Sequence, residues 1–517
     1  MQNTPEQRDV IAFLSTPAAY GLSGGSVERI DTHISVVFLA GDRVYKLKRS
    51  VRFDYVDFST LELRHEACEA EIRLNRRTAP ALYLRVVPVT RESNGLLALG
   101  GQGVPADWLV EMARFDQDTL FDRLAERHEL DIGLMDGLAD AIARLHAQAE
   151  PRVDRGGPDG MAWVIEGNAL GFDDQGDAGL DRAVCEQLTS AARGALDRHT
   201  DRLERRKRHG FVRRCHGDLH LGNICLIEGV PTLFDGIEFN DRIACIDVFY
   251  DLAFVLMDLW RRGLRSHANA IFNEYLVRTV DFDGLALLPL FLSCRAAVRA
   301  KTSIASARVQ PDAHHAGDLY TAAREYLALA VSFLRPPAPS LLAIGGFSGS
   351  GKSTLARRLA SGIGAPPGAL IVRSDIARKR LFGVSPLTRL GAEGYTPAVS
   401  RQVYRTLAEE ARKALAAGHA VIADAVFAHP HERTEIAAVA RDAGFPFAGL
   451  WLEGSADTQT ERLRVRVGDA SDATREVLDR QRSAGAGEID WQRLDGSGDA
   501  ASVQRRAETL VGPPFRS

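Results

Sequence analysis

Cysteine is scarce. Six stand in 517 residues, at 68, 185, 215, 225, 245 and 294, and no two form a C-x-x-C pair. That argues against a zinc site and against a disulfide framework. Long apolar runs are missing too. None reaches the ~18 residues of a membrane-spanning helix, and the richest stretch, 243–260, carries Asp247, Asp251 and Asp258. The opening MQNTPEQRDVIAFL has no basic segment followed by an apolar core, so no signal peptide is expected and a reducing cytoplasm is the expected setting. A surplus of one charge is absent: 64 Lys+Arg face 68 Asp+Glu, a net charge of −4. Such balance gives no support to bulk electrostatic binding of nucleic acid. Lysine is rare, seven of the 64 basic residues, so a lysine at a motif position carries weight. The rest is ordinary globular material, 45% hydrophobic and 26% charged. It is long enough for three or four folding units at about 150 residues each.

The clearest seam is RPPAPS at 335–340, where three prolines stop a helix and stiffen a linker. This gives a first domain at 1–335, a linker at 336–340 and a second domain at 341–517. In the first, ISVVFLAGDRVYKLKR predicts a hairpin turning at Gly41-Asp42,. Residues 59–78 read as a helix capped by Ser59 or Thr60, with Glu62, Glu66, Glu69 and Glu71 along it. YLRVVPV and LLALG read as strands, and WLVEMARF reads as the segment joining the two lobes. From 118 to 212 the pattern is mostly helical, from 211 to 247 strand and loop, and from 248 to 334 helical again. The expectation is a small strand-rich lobe at about 20–112 and a helical lobe at about 113–335, the order of an α+β bilobal fold. Between 150 and 180, PRVDRGGPDG and GFDDQGDAG read as exposed loop. After the linker, LLAIG reads as a buried strand opening one compact α/β domain.

That strand leads into Gly346-Phe347-Ser348-Gly349-Ser350-Gly351-Lys352-Ser353, a full G-x-x-x-x-G-K-[ST], and then into the helical TLARRLA. Strand, loop and helix are the context this motif requires. Glycines let backbone N–H groups from Gly346 through Ser348, Gly349, Ser350, Gly351 and Thr354 curl around phosphates, and the helix N-terminus favours their charge. Lys352 is expected on the β/γ-phosphates and Ser353 on Mg²⁺. Asp375 and Arg378 follow an apolar run at D-x-x-R spacing. A carboxylate there can take the proton of an acceptor hydroxyl, or Ser374 or Asp375 can simply cap a helix. Asp424 ends the strand-like HAVIAD and suits a Mg²⁺-bound water or the acceptor. Arg462, Arg464, Arg466 and Arg475 crowd one segment; Arg462 and Arg466 are the candidates to neutralise phosphoryl charge. These residues resemble the P-loop kinase group that includes gluconate kinase-like and polynucleotide-kinase-like enzymes, over roughly 341–485. The resemblance implies an α/β P-loop NTPase fold, a parallel sheet with flanking helices.

The first domain carries Cys215-His216-Gly217-Asp218-Leu219-His220-Leu221-Gly222-Asn223-Ile224, an H-x-D-x-x-x-x-N, and then Asp235 in PTLFDGIEF. One Asp to receive the acceptor proton, with an Asn and an Asp for Mg²⁺, is a phosphotransferase arrangement. Asp218 is the candidate base and Asn223 and Asp235 the candidate metal ligands. His216 is read as orienting the loop. Upstream, Lys46 in VYKLKR is placed on ATP phosphates, with Glu71 as its acidic partner and Glu66 and Glu69 as rivals. Backbone around Glu111 and Met112 is the candidate contact for adenine. The set resembles the aminoglycoside phosphotransferase family over most of 30–330, and ADAIARLH, ending at His146, and DVFYDLAFVLMDL, with Asp247 and Asp251, resemble it as well. The resemblance implies a protein-kinase-like bilobal fold. No G-x-G-x-x-G precedes Lys46; Ser23 to Ser26 are Gly/Ser-rich but displaced, and that family also tends to lack the loop. The acidic stretch 172–181 would suit a polycationic acceptor, though it also reads as solvated loop. Arg295, Arg299 and Lys301 either bind an anionic acceptor or stabilise a helix C-terminus.

Together these readings give an ATP- and Mg²⁺-dependent phosphotransferase with two nucleotide sites, acting on hydroxyl groups of small molecules. The tandem order resembles bacterial fusion proteins described as bifunctional. Two alternatives stay open: a nucleic-acid 5′-hydroxyl kinase in the second domain, and a regulatory ATP-binding or ATPase protein in which one domain gates the other. A protein kinase is less favoured, because Asp235 and Asp247 leave little room for an activation loop.

Overall fold

The computed structural model describes residues 4–173, 179–310, 312–464, 468–512 and 515. By its internal contacts the chain divides into two compact units, Met1–Trp163 with Arg198–Val255, and Val164–Asp197 with Leu256–Ser517. The division falls within long helices, away from the Pro-rich 335–340 segment.

The first unit opens with α1 (Pro5–Leu14), β1 (Glu28–Asp31), β2 (Ser35–Ala40) and β3 (Arg43–Lys48). A short hairpin, β4 (Arg52–Phe53) and β5 (Val56–Asp57), precedes α2 (Leu61–Asn75), β6 (Tyr83–Arg91), β7 (Leu97–Leu99) and β8 (Val104–Ala113). The six longer strands form an antiparallel sheet in the order β1-β2-β3-β8-β6-β7. β2 and β3 join at the predicted Gly41-Asp42 turn, with Ala40 facing Arg43. β2 is buried along most of its length because both sheet faces are covered. On one face α1 sets Val10, Ile11 and Leu14 against Val36, Phe38, Leu47 and Leu109. On the other, α2 sets Cys68 and Ile72 near Val44, Val110 and Met112. α2 starts where Thr60 accepts from Leu63 N, a side-chain cap for an otherwise unpaired donor.

The sequence reading starts this lobe near residue 20; the structure extends it to α1. Gln7 binds that helix to the sheet, with Nε2 donating to Lys48 O (2.9 Å) and Asp107 Oδ2 (3.0 Å).

The helical part follows with α3 (Phe121–Glu126), α4 (Leu134–Gln148), α5 (Gly157–Asp173) and α6 (Arg182–Arg208). α5 corrects the loop expectation over 157–173, while 151–156 and 179–180 lie outside helix and strand as expected. Met161, Ile165 and Phe172 are buried at helical spacing, with Asn168 beside them, and that stripe outweighs the glycines within the helix,. Residues 174–178 of the acidic stretch lie outside the described residues. Next come β9 (Val212–Arg214), β10 (Ile224–Ile227), β11 (Val230–Leu233), α7 (Asp241–Ala244), β12 (Cys245–Asp247) and α8 (Val248–Arg261).

The second unit holds α9 (Arg265–Thr279), α10 (Leu288–Val309) and α11 (Ala313–Phe333), then β13 (Leu341–Gly345), α12 (Lys352–Ala360), β14 (Leu370–Arg373), α13 (Ser374–Leu381), α14 (Pro397–Ala416), β15 (Val421–Asp424) and α15 (Pro430–Asp442). It closes with β16 (Phe447–Glu453), α16 (Ala456–Arg464), α17 (Arg475–Ala484), β17 (Gln492–Asp495) and α18 (Ala500–Val511). The five strands form a parallel sheet in the order β14-β15-β13-β16-β17. β13 is buried at every position, as a strand with helices on both faces must be. Arg299 lies over the Tyr326 ring and Lys301 Nζ donates to Gly167 O (3.1 Å), so these two cations serve helix packing. Among the described residues no helix is long and apolar enough to cross a membrane.

His419 makes this unit acid-sensitive. Its ring is fully buried, 5.7 Å from that of Phe272, and burial lowers its pKa from 6.5 to about 4. The unfolded chain binds this proton more readily than the folded one, so stability falls as pH drops from 6.5 toward 4. The loss amounts to about 3 kcal/mol. Thermal unfolding followed across that range is expected to show this slope, and His419→Phe, which keeps a stacking ring, is expected to flatten it.

Candidate active sites

In the first unit β3 delivers Lys46 and α2 delivers Glu71. Lys46 Nζ lies 2.9 Å from Glu71 Oε1 and 2.6 Å from Asp235 Oδ1. Of the three glutamates considered, Glu71 is the one that reaches Lys46; Glu66 and Glu69 are exposed. Two residues on, on the same side of β3, Lys48 is almost fully buried. It meets Glu71 Oε2 at 2.5 Å and pairs with Glu238 Oε1. Burial works to raise the Glu71 carboxyl, but the Lys46 and Lys48 ammoniums outweigh it and hold the group below its ordinary range. Glu238 titrates the other way: burial raises it, against the pull of Lys48.

The hairpin of β10 and β11 brings Asn223 and Asp235 together. Ile224 faces Leu233 at its open end, and Phe234 N donates to Asn223 O (3.1 Å). Asn223 Nδ2 donates to Asp218 O (2.9 Å) and Asp218 Oδ2 (3.1 Å), which leaves its Oδ1 to offer a cation. Asp235 takes a left-handed backbone, φ +59°, tolerated by Asp. Its N–H donates to Tyr83 Oη (3.0 Å), and Gly236 N donates to Asn75 Oδ1 (2.7 Å). An amide oxygen and a half-exposed carboxylate at one hairpin mouth are hard donors suited to Mg²⁺.

The H-x-D-x-x-x-x-N loop is held by α8. Asp251 on α8 accepts from His216 N (3.0 Å) and Gly217 N (2.9 Å), and its Oδ2 lies 3.1 Å from His146 Nε2. His216 Nε2 lies 2.9 Å from Phe234 O. Because a carbonyl can only accept, Nε2 carries the proton and Nδ1 is free to accept from Asp218 N (3.4 Å). Burial lowers the His216 pKa and keeps the ring neutral in that role.

Glu111 and Met112 do not offer free backbone. Both lie inside β8, which pairs with β3 on one side and β6 on the other. The Glu111 carboxylate receives Arg85 Nε (2.6 Å) and Tyr45 Oη (3.3 Å). Strand pairing consumes these groups, and the chain leaves the sheet only after Ala113. Phe115 lies just past the end of that strand, its ring 5.3 Å from that of Phe234.

In the second unit the P-loop joins β13 to α12. Gly346 (φ +137°) and Gly349 (φ +77°) have no room for a side chain: a β-carbon would lie 2.5 Å from Leu452 O and 2.6 Å from Gln459 O. Ser348 N donates to Gln481 Oε1 (2.9 Å). Lys352 Nζ curls back to Phe347 O (3.1 Å). Ser353 Oγ donates to Asp424 Oδ2 (2.6 Å), a hydroxyl and carboxylate fit for Mg²⁺ and its water. Arg462 lies against the loop, with Nη1 donating to Ser350 O (3.0 Å) and Nη2 to Gly496 O (3.0 Å). Arg466 lies outside the described residues.

The loop opens on a cavity of about 1670 Å³ lined by Lys352, Asp375, Arg378, Arg401 and Asp424 among others. β14 runs directly into α13, which carries Asp375 in its first turn. Burial raises the Asp375 carboxyl, and the Arg373 guanidinium opposes this only in part. Arg378 is 7% exposed. Its Nη1 donates to Gly394 O (2.6 Å), its plane lies over Tyr395, and its Nε has no partner.

Sequence reasoning missed Lys48, Glu238, Arg373 and Asp472. Arg373 Nη2 donates to Ser353 Oγ (3.2 Å) and Asp469 Oδ1 (3.1 Å). Asp472 accepts from Tyr395 Oη (2.7 Å) and Leu390 N (3.1 Å) and pairs with Lys379. The rarity of lysine was a usable signal for Lys48 and Lys379. Nothing local marked the acids.

Comparison with known proteins agrees with this division of labour. Residues 41–288 match the phosphotransferase enzyme family and residues 341–486 match the AAA domain. The chain is 30% identical over 480 residues, 90% of its length and 92% of theirs, to uncharacterised proteins of Mycobacterium tuberculosis and Mycobacterium bovis. Similar solved structures include a choline/ethanolamine kinase family protein from Mesorhizobium loti, 13% identical over 64% of this chain and 99% of that one, TM-score 0.38. Another is a gluconokinase from Sinorhizobium meliloti, 21% identical over 34% of this chain and 93% of that one, TM-score 0.25. The chain belongs to the family of the mycobacterial proteins, and it is a kinase in which a phosphotransferase-enzyme domain precedes a P-loop kinase domain.

Proposed function

We propose that the protein has two separate ATP- and Mg²⁺-dependent sites, each passing the γ-phosphoryl group to a hydroxyl of a small molecule. The observation that carries this reading is that each unit assembles a full set of parts from distant segments. The first has Lys46, Asp218, Asn223 and Asp235; the second has Lys352, Ser353, Asp375 and Asp424. In each, the acceptor O–H gives its proton to an aspartate as the new P–O bond forms, and the bond to the β-phosphate oxygen breaks to release ADP. Positioning and charge stabilisation suffice for such a transfer.

The buried Arg378, with Nε unpartnered, supports an acceptor at the second site that bears an anion besides its hydroxyl. Arg401 and Arg405 line the same cavity from one face of α14. The test is transfer from γ-labelled ATP into a metabolite extract and, in parallel, into a 5′-hydroxyl oligonucleotide. Full-length protein, Asp218→Ala and Lys352→Ala are run side by side. Each variant is expected to lose a different labelled small molecule. Label on the oligonucleotide would transfer the second site to nucleic-acid ends, and label only in free phosphate would replace the kinase reading with an ATPase.

A further inference from the structure

β14 is an edge strand, hydrogen-bonded to β15 on one side only. An open edge presents unpaired N–H and C=O groups. Here two side chains of α9, outside the P-loop domain match at 341–486, fill that edge. Asn273 Oδ1 accepts from Ile371 N (2.7 Å), and Asn273 Nδ2 donates to Ala369 O (3.2 Å). Asn269 Nδ2 donates to the same Ala369 O (3.1 Å) and to Pro367 O (3.1 Å). The two amides also bond each other, Asn273 Nδ2 to Asn269 Oδ1 at 3.0 Å. Both asparagines are at least nine-tenths buried, and their spacing of four puts them on one face of α9. The contact extends to Ser266 Oγ, 3.3 Å from Ser361 Oγ at the end of α12, and to Phe272 against His419.

The strand held this way ends at Arg373, and α13 begins at Ser374 with Asp375 next and Arg378 one turn on. α9 thus grips the backbone four residues before Asp375. We infer that Asn269 and Asn273 are positioning residues for the P-loop site: they complete the edge of β14 and so fix Asp375 and Arg378 where the acceptor binds. This rests on the reading of that pair given above. The C-terminal kinase is then competent only with α9 in place, although α9 contributes no group to the reacting atoms.

The test uses the full chain with Asn273→Leu, which removes both the acceptor for Ile371 N and a donor to Ala369 O. A second variant, Asn269→Ala, leaves the Ile371 bond intact and keeps the experiment informative if the first fails to fold. Three quantities are read: amide hydrogen exchange across 369–381, binding of a fluorescent ATP analogue, and the labelled product that depends on Lys352. Asn273→Leu is expected to speed exchange in 369–381 and to lower the Lys352-dependent product by about a hundredfold, the cost of a ~1 Å misplacement. Asn269→Ala is expected to do the same to a smaller degree. Analogue binding and the Asp218-dependent product should not change. Unaltered exchange in both variants would overturn the proposal. Faster exchange with undiminished product would also overturn it, because α9 would then hold the strand without placing the acceptor groups. If wild-type protein gives no Lys352-dependent product, the earlier reading falls with it, and exchange alone decides whether α9 holds the strand.

Discussion

Asp218→Asn is expected to slow phosphoryl transfer at the first site by about 10²–10⁴-fold, the range for loss of a general base, with ATP affinity unchanged. The reason lies in the geometry. Asp218 accepts from Asn223 Nδ2 and is no partner of Lys46, which pairs with Glu71 and Asp235. An asparagine can keep the bond to Asn223 by turning its carbonyl oxygen toward it. Lys46 and the candidate metal ligands Asn223 and Asp235 stay as they are; the proton acceptor is gone, together with the charge that lies 3.4 Å from His220 Nε2. Losses in kcat and kcat/KM should then be equal, the signature of a group acting in the transition state alone. Asp235→Asn should behave differently. It removes a negative charge facing Lys46 and, on the proposed reading, a metal ligand together, so the apparent affinity for Mg·ATP should fall along with the rate. Measuring the rate against ATP and Mg²⁺ concentration for both variants separates base from ligand. A rise in the KM for ATP in Asp218→Asn, with little change in kcat, would count against its role as base.

How much of this was legible in the sequence depends on how local the signal is. The P-loop and the H-x-D-x-x-x-x-N segment are short runs whose chemistry is written in consecutive residues. Lys46 was legible as a rare lysine on an apolar strand, and Asp235 because it follows the apolar end of PTLF about a dozen residues after the H-x-D-x-x-x-x-N segment. Choosing Glu71 over Glu66 and Glu69 needed the face of α2 that packs under the sheet, and three-dimensional packing settles that. Glu111 and Met112 were offered as adenine-facing backbone because WLVEMARF reads as the segment joining the lobes. Only the register shows Glu111 and Met112 still paired on both sides. The loop expectation failed over 157–173 because the glycines there sit within a helix that buries Met161, Ile165 and Phe172. Least legible were contacts joining remote segments: Lys48 to Glu238, 190 residues apart, and Asn273 to Ile371, 98 apart. An asparagine in a helix or a glutamate after a turn carries no mark of such a partner.

At the second site, Asp375→Asn is expected to cost a similar 10²–10⁴-fold, and the wild-type pH profile should identify the group before any mutation is made. Asp375 acts as base only when ionised, so activity falls as pH drops through its pKa. Burial raises that pKa above the ordinary carboxylate value of 3.8, with Arg373 pulling the other way and Asp424 adding to the rise. The acid limb of kcat/KM for the Lys352-dependent product should therefore lie above the usual carboxylate range. It should vanish from whatever activity Asp375→Asn retains. Arg373→Gln removes the main opposing charge and should move the limb further up. That variant also loses a donor to Ser353 Oγ and Asp469, so its rate will fall, but position on the pH axis is independent of height. If the limb stays within the ordinary range and ignores Arg373, Asp375 is not the base. Asp375 would then serve only as a negative charge in the first turn of α13, a helix that no side chain caps,.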